Sequence, residues 1–196
     1  MNEYLELIKQ TFQVESECLA EGHLVIDNDQ FAKAVELLLH APRIGTSGCG
    51  HSGISATHFA HLLCCIERPA RFISPADAVH GAMGFLHEGD VLVLCSRGGK
   101  TAELMQMLAI AKERNVSIIS ITENLESPMA VSSDAVIAMY VNRETDPENN
   151  QGTTSFTATS VIFHALQTAL IEQSGYRQET FAKIHPGGAV GERLNH

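Results

Sequence analysis

The chain has 196 residues, of which 44% are hydrophobic and 18% are charged, and its formal net charge is −10. This length and composition are typical of one globular domain with a well-buried core. The acidic balance and the lack of a basic stripe argue against a nucleic-acid partner. No apolar run reaches the roughly 20 residues needed to cross a bilayer, so no membrane partner is expected. The five cysteines show no CxxC spacing, so we expect free thiols and a cytoplasmic location.

Short apolar strands alternate with amphipathic helices along the chain, which is the pattern of a parallel sheet covered on both faces. Helices are predicted at 2–20, 28–40, 54–66, 102–114 and 155–174, with a short one within 77–85 and another near the C-terminus. Strands are predicted at 43–46, 70–74, 91–95, 117–122 and 135–141. We therefore predict an α/β fold, a three-layer α/β/α sandwich with a five-stranded parallel sheet of the flavodoxin or Rossmann type.

The sequence predicts a single domain in three parts: N-terminal helices (1–41), an α/β core (42–175) and a C-terminal segment (176–196). Residues 142–152, which read NRETDPENNQG, are polar and rich in turn-forming residues. We expect a mobile loop there, and the stretch is too short to act as an interdomain linker.

Two loops combine glycine with hydroxyl residues between an apolar strand and a helix: 47–53 (SGCGHSG) and 96–101 (SRGGKT). Glycines let backbone N–H groups approach an anion closely, and hydroxyls complete the hydrogen-bond shell of a phosphate. A helix N-terminus adds about half a positive charge. In the alternative interpretation Ser52 and Thr101 only cap their helices. Two such loops after strands of one parallel sheet favour a binding crevice, since open α/β sheets bind ligands at that edge.

Neither loop is a P-loop, because the pattern GxxxxGK[ST] is absent. Gly48, Gly50 and Gly53 have the GxGxxG spacing of a dinucleotide-binding turn, but this short motif is a weak signal. The acidic residue that such a site requires about 20 residues further on is also missing. The sequence therefore predicts no cofactor.

Six segments, in this order, resemble the SIS (sugar isomerase) domains of phosphosugar isomerases, above all those of arabinose-5-phosphate isomerases. They are SGCGHSG (47–53), SPADAVHGAMG (74–84), LCSRGGKTAEL (94–104), ITENLESPMA (121–130), GTTSFTAT (152–159) and HPGGAVGERL (185–194). The last is the most specific, because it looks like the HPGGxxGxxL signature at the end of that isomerase domain. Many relatives carry a pair of cystathionine-synthase-type regulatory domains after this signature, and these 196 residues contain no such pair.

The resemblance implies aldose–ketose isomerisation of a sugar phosphate, an intramolecular oxidoreduction, in a homodimer or homotetramer with sites completed by a neighbouring chain. It implies Glu126 as the base that moves a proton between adjacent carbons, His185 in ring opening or proton shuttling, and His80 as a supporting acid or orienting group. The residues assigned to the substrate and its phosphate are Gly50, His51, Ser52, Ser96, Gly99, Lys100, Thr101, Thr154 and Ser155.

Two positions depart from the family pattern. His51 stands where the first loop usually has a lysine, and Lys100 stands where the second loop usually has a glutamate implicated in catalysis. Lysine is a good phosphate partner but a poor substitute for a carboxylate base. The alternative function is therefore a non-catalytic, regulatory SIS protein that binds a sugar phosphate without converting it.

Each catalytic assignment has a structural alternative. Glu126 could instead cap the short helix that follows it, where the helix dipole favours an acid. His185 could hydrogen-bond only the Pro-Gly-Gly turn, and His80 could be an ordinary loop residue. His51, His80 and His185 could also converge on Zn²⁺, but no HxH or HxxxH spacing among them supports a metal site. We predict no metal.

Overall fold

The structure, a computed structural model, describes residues 3–195; the predicted helix start at residue 2 and the final residue of the C-terminal segment lie outside that range. The strands are β1 (Ile44–Gly48), β2 (Ala70–Phe72), β3 (Val91–Cys95), β4 (Ser117–Thr122) and β5 (Ala135–Ala138). The α-helices of the described residues are α1 (Glu3–Gly22), α2 (Asn28–His40), α3 (Gly50–Cys64), α4 (Pro75–Ala78), α5 (Ala102–Glu113), α6 (Pro128–Val131), α7 (Thr154–Ser174), α8 (Gln178–Ile184) and α9 (Gly188–Asn195). Within residues 3–195 no helix combines the length and the apolar character needed to span a bilayer.

The five strands form one parallel sheet in the order β2-β1-β3-β4-β5. β3 lies at its centre and is buried on both faces, as its continuous apolar sequence predicts. Val91, Val93 and Cys95 pack with α2, α3 and α7, whereas Leu92 and Leu94 pack with α4, α5 and α6. The predicted three-layer α/β/α sandwich is thus confirmed.

The boundaries of α2, β3 and β4 agree with the predicted ones residue for residue. The predicted start of α3 at residue 54 is wrong, because the helix begins at Gly50, directly after the extended Cys49. Gly50 makes this early turn with a φ of +55°, which glycine adopts without steric cost. β2 and β5 are shorter than predicted: Pro75 starts α4 soon after β2, and pairing of β5 with β4 stops at Ala138.

The strand order places a topological switch point between β1 and β3, because the chain leaves these neighbouring strands in opposite directions across the sheet. Their connections diverge beyond the carboxyl ends, and a crevice opens there. Open α/β sheets bind ligands in this position. The two glycine- and hydroxyl-rich loops follow β1 and β3, so the fold brings both to this crevice.

The first half of α1 has an apolar side that is exposed in this structure. The buried side chains of α1 are Val14 and Cys18, and both lie in the second half of the helix. Leu5, Ile8 and Phe12 recur at near-helical spacing, yet they are 41%, 53% and 76% exposed. Helical periodicity alone therefore predicted the helix but not which surface covers its apolar side.

Candidate functional site

The loop after β1 brings a strand and a helix into backbone contact. A Cβ atom added to Gly53 would lie 2.6 Å from the carbonyl oxygen of Gly48, so only glycine fits there. α3 has no side-chain cap, and the N–H groups of Gly50, His51 and Ser52 find no acceptor within residues 3–195. These free donors and the helix dipole point into the crevice, an arrangement suited to an anion.

The loop after β3 is closed by its own hydrogen bonds. The Ser96 and Thr101 hydroxyls are 2.9 Å apart, and the Gly99 N–H donates to Ser96 Oγ over 3.2 Å. Gly99 has a φ of +64°, and a Cβ atom there would collide with the side chain of Ser127. Glycine at 99 is thus required both by the backbone conformation and by the approach of the loop after β4.

The interpretation of Ser52 and Thr101 as simple helix caps is wrong. Ser52 lies inside the first turn of α3, and Cys49 occupies the N-cap position. Thr101 is the N-cap residue of α5, but its hydroxyl contacts Ser96 and not a backbone N–H of the helix. Both helices therefore present uncapped N-termini at the switch point.

A cleft of about 460 Å³ opens beside the first loop. It is lined by the backbone of residues 48–50, by Phe72 and the 74–76 segment from the far side, and by Glu103 from α5. This space is large enough for a small phosphorylated sugar. Cys49 borders it, and burial followed by the charge of Glu103 raises the pKa of this thiol. Cys49 is therefore held in the thiol form, which is a weak nucleophile and metal ligand.

Lys100, Glu126 and His80 are exposed, and their side chains form no hydrogen bond or ion pair with residues 3–195. An unpaired ammonium at Lys100 is free to meet a phosphate. Glu126 does not cap α6, because Ser127 holds the N-cap position and accepts from the Ala130 N–H over 3.2 Å. The alternative reading of Glu126 as a helix cap is thus wrong, and its carboxylate remains available.

The sequence did not reveal an ion pair at the same edge of the sheet, between the half-exposed Arg97 and the buried Glu144. The Glu144 side chain is 3% exposed and accepts from Arg97 Nη1 over 2.9 Å. Its other oxygen accepts from the Ser155 N–H at 3.1 Å and from the Thr153 hydroxyl at 3.3 Å. Arg97 also donates to Glu123 Oε2 over 2.7 Å. Glu144 thus ties the loop after β3 to the N-terminus of α7.

One signal in the sequence could have predicted this pair: opposite charges follow β3 and β5, whose carboxyl ends meet at one edge of the sheet.

The 142–152 loop is held by these contacts and by its own hydrogen bonds. Asp146 accepts from the N–H groups of Asn150 and Gln151, and these bonds lower the pKa of its carboxyl. The 142–152 loop thus contains a hydrogen-bonded turn beside the site, and its mobility stays a prediction.

The start of α7 contributes two more of the predicted residues. The Ser155 N–H is occupied by Glu144, whereas the Thr154 hydroxyl is buried and has no partner among the described residues. His51 reaches across from α3, where its ring lies against Gly152 and edge-on to Phe156 with centroids 6.4 Å apart. A side chain at 152 would collide with the imidazole, so the two loops fit together at this point.

His185 lies away from these loops. It ends α8, and its ring packs against Phe181 at a tilt of 33°, with centroids 4.9 Å apart. Phe181 lines a cleft together with the last turns of α3 and α7. Those turns lie where the strands begin, because each helix runs antiparallel to the strands of the sheet. Within one chain His185 is therefore at the opposite end from the loops, and its buried Nδ1 has no partner in the described residues.

His51, His80 and His185 do not converge within one chain. More generally, residues 3–195 contain no group of three His, Cys, Asp or Glu side chains placed to hold a metal ion. The five cysteines are free and form no disulfide in this part of the chain.

An open parallel sheet with two uncapped helix N-termini at its switch point defines an α/β protein suited to a phosphorylated ligand. The chain belongs to the SIS-domain family, whose model matches residues 37–169. It is 36% identical over 193 residues to arabinose 5-phosphate isomerase KdsD of Pseudomonas aeruginosa, covering 98% of this chain and 59% of that protein. The chain thus spans about three fifths of the length of the curated relatives it matches.

Solved structures agree with this assignment. A Listeria monocytogenes protein assigned as a sugar-phosphate isomerase superposes with a TM-score of 0.91 at 36% identity, covering 95% of this chain and 100% of that one. An Escherichia coli protein in complex with arabinose 5-phosphate superposes with a TM-score of 0.84 at 30% identity, covering 95% of this chain and all of that one. The predicted SIS fold and family are confirmed.

Proposed function

We propose that this protein is an aldose–ketose isomerase of sugar phosphates, with arabinose 5-phosphate as the first substrate to test. The observation that carries the proposal is the pair of uncapped, glycine-rich helix N-termini, at α3 and α5, on either side of the switch point. An acidic protein repels a phosphate ester at long range, so a local arrangement of N–H donors is required to hold one.

The proposed phosphate site combines backbone and side-chain donors. The free N–H groups of residues 50–52 supply the backbone part, with Gly50 keeping the approach open. Lys100 supplies a positive charge and Thr101 a hydroxyl from the second loop. The hydroxyl of Thr154, which has no partner among residues 3–195, is a further donor on the α7 side. His51 stands where related sites have a lysine. Its ring lies against Gly152, and we propose that it borders the ligand from there.

The chemistry needs a base for the carbon-bound proton and a group that opens the sugar ring. We assign the role of base to Glu126. Its carboxylate has no partner among residues 3–195, and the residue lies in the loop after β4, at the carboxyl edge of the sheet. His80, from the turn after α4, is the proposed orienting group. Glu144 is proposed as a positioning residue, because both of its oxygens are already engaged.

His185 fits this scheme only if it comes from a neighbouring chain, since in its own chain it lies at the far end of the sheet. We therefore propose a homo-oligomer in which the HPGG segment of one subunit completes the site of another. The exposed apolar side of α1 is the proposed contact surface, because nothing within residues 3–195 covers it. The free thiols fit a reducing cytoplasm, where we place the activity.

Phe12→Glu is expected to weaken this assembly, because the side chain is 76% exposed and a charge there opposes burial against a second copy. Light scattering should show a smaller particle for this variant than for the unchanged protein at the same micromolar concentration. Thr11→Glu is the matched control, since it adds the same charge at the neighbouring position. A monomeric unchanged protein would contradict the proposal.

The function is tested by a thermal-shift screen with sugar phosphates, followed by an aldose–ketose assay for each stabilising compound. A ligand at 100 times its Kd adds about 2.7 kcal/mol of stability, which corresponds to roughly 5 to 10 °C in a domain of this size. Unphosphorylated arabinose should give no shift. Binding with conversion supports the isomerase, whereas binding without conversion favours the sensor. If no sugar phosphate binds, the proposed function is wrong.

A further inference from the structure

Two histidines face each other on the outer surface of the domain, away from the candidate sugar phosphate site. His58 lies on α3 and His164 on α7, and their Nε2 atoms are 3.3 Å apart. The rings are nearly perpendicular, at 88°, with centroids 5.5 Å apart. Both side chains are exposed, so the pair is open to solvent and to solutes.

The position of this pair is fixed by the core beneath it. Phe59 and Phe163, the sequence neighbours of the two histidines, stack in parallel with centroids 4.2 Å apart. Both phenylalanines are fully buried. This stack holds α3 against α7 and so brings the backbones of His58 and His164 close together. Two side chains brought together by the fold lose less conformational entropy on binding a ligand than two unconnected ones.

The distance matches a metal chelate. Zinc binds imidazole nitrogens at about 2.0–2.1 Å, so two nitrogens on one tetrahedral ion lie roughly 3.3 Å apart. The observed Nε2–Nε2 separation is 3.3 Å. The neutral imidazole is the form that binds metals.

We propose that His58 and His164 together chelate a divalent transition-metal ion, such as Zn²⁺, Ni²⁺ or Cu²⁺, across α3 and α7. Two imidazoles select these ions over Mg²⁺ and Ca²⁺, which prefer oxygen ligands. Within residues 3–195 no third His, Cys, Asp or Glu joins them, so water fills the remaining positions. The ion would join two helices whose first turns border the candidate sugar phosphate site.

His61 provides a matched control on the same surface. It lies one turn further along α3, but its Nε2 pairs with Cys65 Sγ at 3.6 Å and does not meet His164. Like the two proposed ligands, His61 is exposed, so its removal carries a similar structural cost.

The test is calorimetric titration of chelator-treated protein with NiCl₂, ZnCl₂, CuCl₂ and MgCl₂. We expect one site per chain, tightest for Cu²⁺ and absent for Mg²⁺. His58→Ala and His164→Ala should each weaken it about 100-fold, since the second ligand acts as an intramolecular one. His61→Ala should leave it unchanged. Equal binding by all three variants, loss in His61→Ala, or a comparable Mg²⁺ signal would overturn the proposal.

A measurement on the unchanged protein makes the test independent of how the variants fold. The electron paramagnetic resonance spectrum of one equivalent of Cu²⁺ should show coupling to two imidazole nitrogens. Coupling to one nitrogen or to none would overturn the proposal. The sugar phosphate assay does not enter either measurement, so a failure here leaves the proposed isomerase activity untouched.

Discussion

Replacing Glu126 with glutamine is expected to lower kcat of the proposed isomerase by about a hundredfold to ten-thousandfold, the usual contribution of a positioned general base. Glutamine keeps the size of the side chain but cannot accept the carbon-bound proton. The Glu126 side chain is exposed and unpaired within residues 3–195, so the change should not alter the free energy of unfolding. The sugar phosphate should bind the variant nearly as tightly as the unchanged protein.

The measurement is kcat and KM for arabinose 5-phosphate, or for the best substrate from the screen. Glu123→Gln is the matched control, because it removes an exposed carboxylate from the same loop after β4. We expect its kcat to stay within a few-fold of the unchanged value. If Glu126→Gln is fully active, the base lies elsewhere, and Glu144 is then the carboxylate to test next.

Arg97→Ala is expected to lower the free energy of unfolding by about 2 to 3 kcal/mol, somewhat less than the loss for a fully buried pair. The cost arises because Glu144, 3% exposed, would keep its charge without its cationic partner. The donors from Ser155 and Thr153 would remain and limit the loss. Urea denaturation should show a lower midpoint with an unchanged m value.

Glu123→Gln again serves as the control, since it breaks the other ion pair of the same arginine. The Glu123 side chain is 39% exposed, and an exposed pair contributes less than about 1 kcal/mol. Equal destabilisation by Arg97→Ala and Glu123→Gln would contradict our account of the buried pair. It would show that the Arg97 guanidinium stabilises the loop after β3 equally through Glu123 and through Glu144.

The sequence was sufficient for the features that depend on local patterns. An uninterrupted apolar run predicted β3 to the residue, as expected for a strand buried on both faces. β4 was also predicted to the residue, although it buries Ser120 and Thr122 among its isoleucines. Glycine and hydroxyl residues after β1 and β3 predicted two loops at one edge of the sheet. The resemblance of six segments predicted the SIS family, which the family match confirms.

Local patterns did not determine which side chains meet across the fold. The burial of Glu144 depends on Arg97, 47 residues away, and no periodicity connects them. The early start of α3 depends on the backbone contact of Gly48 with Gly53. Thr101 was expected to cap α5 with its hydroxyl. This hydroxyl instead contacts the Ser96 hydroxyl, and the local sequence pattern does not show this contact.

The sequence by itself determined the order of strands and helices, the glycine- and hydroxyl-rich character of the two loops and the family, because backbone conformation and apolar periodicity are encoded in neighbouring residues. Only the tertiary structure decided that Glu144 is buried, that His185 lies at the far end of the sheet, and that His58 meets His164. These are contacts between residues distant in the chain, and their distances and burial exist only once the helices have packed on the sheet.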